Sequence, residues 1–158
     1  MTTTYTEGRR KRGRSLLGQL VFADSAFWIA LTSKRDDYHS QAQRWRRHLV
    51  ATQVSILTTE AVLWEWLNSL AAPRTRVAAA QGYAACKTDS KIEVITLDAQ
   101  LEQAALVLYQ TLTDKGWGLT DCLSFVVMRQ RDISDALTAD RDFQQAGFRT
   151  LLREDPLQ

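Results

Sequence analysis

Short apolar runs alternate with amphipathic segments along most of this chain. The apolar runs predict strands at residues 20–23, 54–57, 92–95, 136–138 and 149–152. Apolar residues at helical spacing predict helices at residues 25–31, 36–50, 60–71, 73–87, 99–112, 121–128 and 143–146. Strands that alternate with helices favour a parallel sheet covered by helices on both faces. The sequence therefore predicts a three-layer α/β/α fold with a central, mainly parallel sheet.

Several of these helices begin with a local signal in the sequence. Thr58 or Thr59 can cap the third helix, and Asp98 can cap the fifth, because their side-chain oxygens accept free backbone N–H groups. Pro73 suits the first turn of the fourth helix, where its missing N–H costs nothing. Thr120 is expected to cap the apolar helix that follows it.

Composition and charge divide the chain into two unequal parts. With 158 residues, 45% of them hydrophobic, the chain is long enough to bury the core of a single domain. The net charge is +2, but residues 1–19 hold five basic residues against one acid, so the rest is slightly acidic. Short charged ends are usually unordered. We therefore expect residues 1–18 to form a basic, disordered extension and residues 19–158 to form the folded domain.

Several classes of protein are disfavoured at this stage. A secretory leader is disfavoured because Gly18 and Gln19 interrupt the apolar stretch, which then continues into Asp24. No apolar run of 18 or more residues occurs, so no membrane contact is expected. Cys86 and Cys122 stand far apart and outside any zinc-binding pattern. Reduced thiols and a cytoplasmic location are the simpler interpretation.

Four acidic residues occupy positions that a parallel sheet can bring together. Asp24 follows the first strand and Asp140 follows the fourth, so both lie at the same edge of the sheet. Asp121 lies in the first turn of an apolar helix, and Glu65 is the one acid in residues 61–72. Each has an ordinary structural explanation in a turn, a cap or a solvated face. Together, however, they would repel each other unless a cation neutralised them.

Carboxylate oxygens in such an arrangement select Mg²⁺ or Mn²⁺ rather than zinc. A divalent ion held by carboxylates, with positions left for water, is suited to phosphodiester hydrolysis because it acidifies water and offsets phosphoryl charge. The pattern therefore favours a metal-dependent nuclease.

The segments that carry these acids resemble the motifs of the PIN-domain family. The resemblance covers about residues 20–152, and its four motifs lie at residues 21–25, 57–65, 118–124 and 136–148. It implies a PIN-like fold and ribonuclease activity, with Asp24, Glu65, Asp121 and Asp140 as the acids. It also implies supporting hydroxyls and an additional ligand, which match Ser25, Thr120 and Asp142 respectively.

Compact bacterial members of this family are mostly VapC-type toxins of toxin–antitoxin pairs. The resemblance therefore implies an RNA substrate, a cognate antitoxin protein and a homodimer. In the expected mechanism, Asp24, Asp121 and Asp140 bind one ion, directly or through water. Glu65 orients or deprotonates the attacking water, or binds a second ion.

Other chemistries were weighed against the same residues. A phosphatase of the haloacid-dehalogenase type needs an acid where Ala26 stands. His39 and His48 share one polar helix and are expected at the surface, so they form no acid–base pair. Glycine-rich nucleotide motifs and the serine-hydrolase elbow do not occur. The remaining alternative is a non-catalytic PIN-like module that binds RNA or protein.

The five tryptophans are expected mainly in the core, because large aromatic side chains are mostly buried. Trp64 and Trp66 cannot both point inward on one narrow stripe, so one of them is expected at a surface where a partner can bind.

Overall fold

The computed structural model describes residues 19–156, and the basic extension expected at residues 1–18 lies outside them. One five-stranded sheet forms the centre, with strands β1 (Leu20–Ala23), β2 (Ser55–Thr59), β3 (Ile92–Ile95), β4 (Asp135–Leu137) and β5 (Arg149–Thr150). The strand order is β3-β2-β1-β4-β5, and every neighbouring pair is parallel. The expected α/β fold is confirmed, with a sheet that is parallel throughout the described residues.

Seven α-helices connect the strands within the described residues. They are α1 (Ser25–Thr32), α2 (His39–Thr52), α3 (Glu60–Ser69), α4 (Pro73–Thr88), α5 (Ala99–Thr111), α6 (Leu119–Gln130) and α7 (Arg141–Gln145). The chain moves from β1 to β3 in one direction and from β4 to β5 in the other. Right-handed crossovers then place α1–α4 on one face of the sheet and α5–α7 on the opposite face. The helix contacts agree with this assignment to two faces, since α1 contacts α2, α3 and α4, whereas α6 contacts α5 and α7.

Three of the four predicted helix-start signals are confirmed, two of them by hydrogen bonds. The Thr59 hydroxyl accepts from the Val62 N–H at 3.2 Å, and the Asp98 carboxylate accepts from the Leu101 N–H at 2.7 Å. Pro73 is the first residue of α4. These signals are local, since each joins residues less than one helical turn apart.

Three local predictions are wrong. Helix α6 is capped by Gly118 rather than by Thr120, because the Asp121 carboxylate accepts the Gly118 N–H at 3.0 Å. Helix α2 begins later than expected, because the Asp36 side chain accepts the Tyr38 N–H at 2.8 Å and forms a turn there. The last strand ends at Thr150, and a 3₁₀ turn follows it.

Aromatic packing fills both sides of the sheet. Trp28 packs on Trp66 on the α1–α4 side, and Phe125 packs edge-on against Phe143 on the other side. Four of the five tryptophans are at most 7% exposed, whereas Trp64 is 54% exposed. The prediction that Trp64 and Trp66 point in different directions is therefore confirmed.

The two histidines are half-buried, whereas the two cysteines are buried. The histidines are therefore only partly exposed at the predicted surface. The Nδ1 of His39 is 2.7 Å from the Ala30 carbonyl oxygen, and His48 packs edge-on against Trp45. Cys86 and Cys122 are buried and unpaired, as expected. In the part of the chain described here, no helix is both long and apolar enough to cross a membrane.

Candidate active site

The site lies where the strand order reverses, between β1 and β4. In doubly wound sheets, ligands bind beyond the carboxyl ends of the strands at this point. The register pairs Phe22 with Ala136 and Ala23 with Leu137. The next residue of each strand therefore meets its counterpart at the edge, which places Asp24 beside Thr138. Asp140 follows two residues later and caps α7.

Asp24 is a buried carboxylate in this edge. Its residue is only 5% exposed, and the Thr138 hydroxyl donates to its Oδ2 at 3.0 Å. Burial raises the pKa of Asp24 to about 7, and the nearby carboxylates of Asp121 and Glu65 add to the rise. The Ser25 backbone N–H and the Thr138 hydroxyl oppose it by favouring the charged form. Asp24 therefore lies in a site that disfavours its own negative charge.

Asp121 faces the same region from the start of α6. It is half-buried, and its Oδ2 accepts the Gly118 N–H at 3.0 Å. Desolvation, with smaller contributions from the carboxylates of Asp140, Glu65 and Asp142, raises the pKa of Asp121 to about 6. Because these three acids act on Asp121 through space, the structure brings the predicted acids into one electrostatic cluster.

The remaining acids form the exposed rim of this cluster. Glu65 is exposed on α3 and contributes to the raised pKa of both Asp24 and Asp121. The Asp140 Oδ1 accepts the Asp142 N–H at 2.9 Å, which holds it at the start of α7. Desolvation and the charge of Asp140 raise the pKa of Asp142.

The carboxylates interact electrostatically, but their side chains are not arranged as a complete set of metal ligands. Within residues 19–156, no three acidic, cysteine or histidine side chains are gathered closely enough to hold a metal ion as they stand. Asp121 and Asp140 are each turned toward a backbone N–H of their own segment. The donor set nevertheless fits a hard divalent ion, because it consists of carboxylate oxygens in a partly buried site.

The hydroxyl that supports Asp24 was missed in the sequence. Thr138 is fully buried, and its Oγ1 donates to Asp24 and accepts the Asp140 N–H at 3.1 Å. It therefore couples two of the predicted acids. The predicted hydroxyls lie nearby: Ser25 is buried next to Asp24, and Thr120 is half-buried next to Asp121. The pairing of β1 with β4 is the signal that would have found Thr138.

Comparison with known proteins identifies the family. The sequence profile described as the PIN domain matches residues 21–149, which include all the predicted acids. This chain belongs to the PIN-domain family. Two curated PIN relatives, from the CDC 1551 / Oshkosh and H37Rv strains of Mycobacterium tuberculosis, are named 23S rRNA-specific endonuclease VapC20. Each is 32% identical to this chain over 133 residues, which cover 82% of this chain and 95% of the relative.

A solved PIN-domain structure agrees with the sequence comparison. The crystal structure of VapC20 from Mycobacterium tuberculosis, described as a Sarcin-Ricin loop cleaving toxin, superposes with a TM-score of 0.73 at 30% identity. The match covers 86% of this chain and 99% of that one. The PIN-like fold, the homology to VapC-type toxins and the ribonuclease class expected from the sequence are thereby confirmed.

Proposed function

We propose that this PIN domain hydrolyses RNA with a divalent cation held by Asp24, Asp121 and Asp140. The observation that carries the proposal is buried negative charge without a cation: the groups that shift the pKa of Asp24 and Asp121 include other carboxylates but no basic side chain. Asp135 provides the contrast. This buried acid at the other end of β4 has Arg149 at 3.6 Å. A buried charge is normally paired, so the unpaired cluster favours an ion.

The identity of the ion follows from the ligand chemistry. Oxygen ligands without thiolate or imidazole select Mg²⁺ or Mn²⁺. When bound, such an ion supplies Lewis acidity, which acidifies a water molecule and offsets charge on the phosphoryl oxygens. We assign Asp142 as an additional ligand, because it lies beside Asp140 and its pKa is raised by that charge.

The protein's own side chains orient the metal-binding carboxylate and accept the proton of the attacking water. Thr138 holds the Asp24 carboxylate in place through its hydroxyl, and the buried Ser25 and the half-buried Thr120 lie at the same edge. Glu65 stands exposed at the rim, where it accepts the proton of the attacking water. The water oxygen bonds to phosphorus as the bond from phosphorus to the leaving ribose oxygen breaks, and that oxygen takes a proton from solvent. No covalent bond to the enzyme forms.

The relatives indicate the substrate class and the biological role. The curated relatives are named for 23S rRNA, and the solved one for the sarcin-ricin loop. We therefore assign a structured ribosomal RNA loop as the substrate, a toxin role with a cognate antitoxin, and a cytoplasmic site of action. Protein contacts, including a homodimer, are supported by three large hydrophobic side chains that are exposed: Trp64 on α3, Val77 on α4 and Tyr109 on α5. Light scattering of the purified chain tests the homodimer, and light scattering after co-expression with a candidate antitoxin tests the second contact.

Cleavage of a labelled RNA hairpin with the sarcin-ricin loop sequence tests the catalytic proposal. The wild-type chain, an Asp121→Asn variant and an Asp98→Asn control are compared in Mn²⁺, in Mg²⁺ and in EDTA. Asparagine keeps an acceptor for the Gly118 N–H at position 121 and for the Leu101 N–H at position 98, so both variants should fold. We expect the wild type and the control to cleave with metal, and the Asp121 variant to lose at least about 100-fold in rate.

Two results would contradict the proposal. Cleavage that survives EDTA, with contaminating nuclease excluded by the Asp121 variant, would remove the metal requirement. Binding of the hairpin without cleavage in any metal would instead support the non-catalytic PIN-like module.

A further inference from the structure

The backbone of the segment that follows β4 accepts a hydrogen bond from an arginine side chain near the end of the chain. The Nε of Arg153 donates to the Ala139 carbonyl oxygen at 2.7 Å. Ala139 lies between Thr138, which binds Asp24, and Asp140. A carbonyl oxygen lies about 3 Å from the next Cα atom, so the Arg153 Nε lies within about 6 Å of the Asp140 Cα. This contact therefore places the Arg153 guanidinium beside the backbone of Asp140, one of the acids of the cluster.

The rest of that guanidinium is free to bind a ligand. Arg153 is exposed, and among the residues described no acid or acceptor is recorded for its two terminal nitrogens. It is also absent from the groups that shift the pKa of Asp24 and Asp121, so it does not neutralise the cluster. Guanidinium presents its donors as a rigid fork that matches phosphate geometry. With Nε already fixed, little further ordering is needed to bind an anion.

We propose that Arg153 binds a phosphate of the RNA backbone adjacent to the scissile phosphate and so sets the position of the strand over Asp140. The proposal rests on the proposed function and names a substrate-binding residue for it. A polyanion that approaches a cluster of carboxylates needs compensating charge beside that cluster, and Arg153 lies there.

Arg141 offers an internal comparison. It directly follows Asp140 and is exposed, but no hydrogen bond or ion pair is recorded for it in residues 19–156. It therefore supplies charge near the same edge without a fixed orientation. If position matters as well as charge, loss of Arg153 should weaken RNA binding more than loss of Arg141.

The experiment compares Arg153→Gln, Arg153→Lys and Arg141→Gln with wild type, and uses Arg47→Gln on α2 as the control for removing an exposed arginine. Affinity for the sarcin-ricin hairpin RNA is measured by fluorescence anisotropy in EDTA at several salt concentrations. Single-turnover cleavage in Mn²⁺ gives the rate constant at saturating enzyme, which separates binding from chemistry. Melting temperatures report whether each variant is folded.

We expect Arg153→Gln to weaken binding about 10- to 100-fold, the range for a lost hydrogen bond to a charged group. The slope of log affinity against log salt should fall by about 0.7, the value for one phosphate contact on a single strand. Arg153→Lys should keep that slope and recover part of the affinity. Arg141→Gln should have a smaller effect, and Arg47→Gln should match wild type.

The outcomes separate this proposal from the proposed function. If the Arg153→Gln variant folds and binds RNA with wild-type affinity and salt slope, the role of Arg153 is overturned. Continued cleavage by that variant would leave the proposed function standing. If Arg153→Gln unfolds, the Arg153→Lys variant decides. It should fold, keep the wild-type slope and bind more weakly than wild type, because lysine keeps the charge but lacks the guanidinium fork. A folded Arg153→Lys variant with wild-type affinity would overturn the proposal. Arg153-dependent binding without metal-dependent cleavage would overturn the proposed function alone, and no binding by wild type would overturn both.

Discussion

Replacing Asp24 with asparagine should make the metal-free protein more stable at high pH while it removes cleavage. Asp24 is 5% exposed, and burial raises its pKa from an ordinary 3.8 to about 7. Above about pH 7 the native state must hold this charge without a cation beside it. Asparagine resembles the protonated acid, with one acceptor oxygen for the Thr138 hydroxyl and no charge. The variant therefore escapes the cost of ionisation.

The size of the effect follows from linkage. An acid whose pKa is raised on folding stabilises the native state fully below its unfolded pKa, near 3.8, and loses that contribution as the pH rises through about 7. At about 1.4 kcal/mol for each pH unit, the gap corresponds to about 4 kcal/mol. For a domain of this size, that is a rise in Tm of about 10 °C for Asp24→Asn at about pH 8. Near pH 4 the two proteins should melt together.

Thermal unfolding by circular dichroism in EDTA, from about pH 4 to about pH 9, measures this difference. Asp98→Asn is the matched control, because Asp98 is also an aspartate at a helix start but is exposed and outside the cluster. Its Tm difference from wild type should not change with pH. Adding Mn²⁺ at high pH should raise the Tm of wild type but not that of Asp24→Asn, since the ion needs the charged carboxylate.

Two results would refute this reasoning. A Tm difference between Asp24→Asn and wild type that stays constant with pH would mean that Asp24 is not the group whose ionisation costs stability. A variant that is less stable than wild type at high pH in EDTA would mean that the carboxylate has a compensating partner.

Two further substitutions test the surroundings of the site and the core. Thr138→Val removes a donor that lowers the pKa of Asp24, so the pH at half-maximal cleavage should rise, and activity should recover at higher pH. An unchanged pH profile of kcat/KM would exclude that role. Gly82→Ala should destabilise the fold by about 1–3 kcal/mol, because an added Cβ would lie 2.7 Å from the Trp66 ring. Denaturant unfolding checks this, with Ala78→Gly at an exposed position of α4 as a control for helix propensity, and wild-type stability of Gly82→Ala would contradict it.

The sequence by itself determined the features that depend on near neighbours. Alternating apolar runs and helical periodicity predicted the strand and helix order, and the caps predicted at Thr58 or Thr59 and at Asp98 placed two helix starts. Each signal involves side chains and backbone groups only a few residues apart, so it survives without knowledge of the fold. Because parallel strands end at one edge, the same reasoning also placed Asp24 and Asp140 together.

Tertiary structure decided the hydrogen-bond partners, the burial and therefore the pKa values of those acids. The hydrogen bond from Thr138 to Asp24 joins residues 114 positions apart, and it exists because β4 pairs with β1 rather than with β3. The cap of α6 is Gly118 rather than the predicted Thr120, because the Asp121 carboxylate turns back to the Gly118 N–H. Burial of Asp24, and with it the raised pKa, requires both faces of the sheet to be covered. Desolvation depends on all surrounding atoms, and no local pattern of residues encodes it.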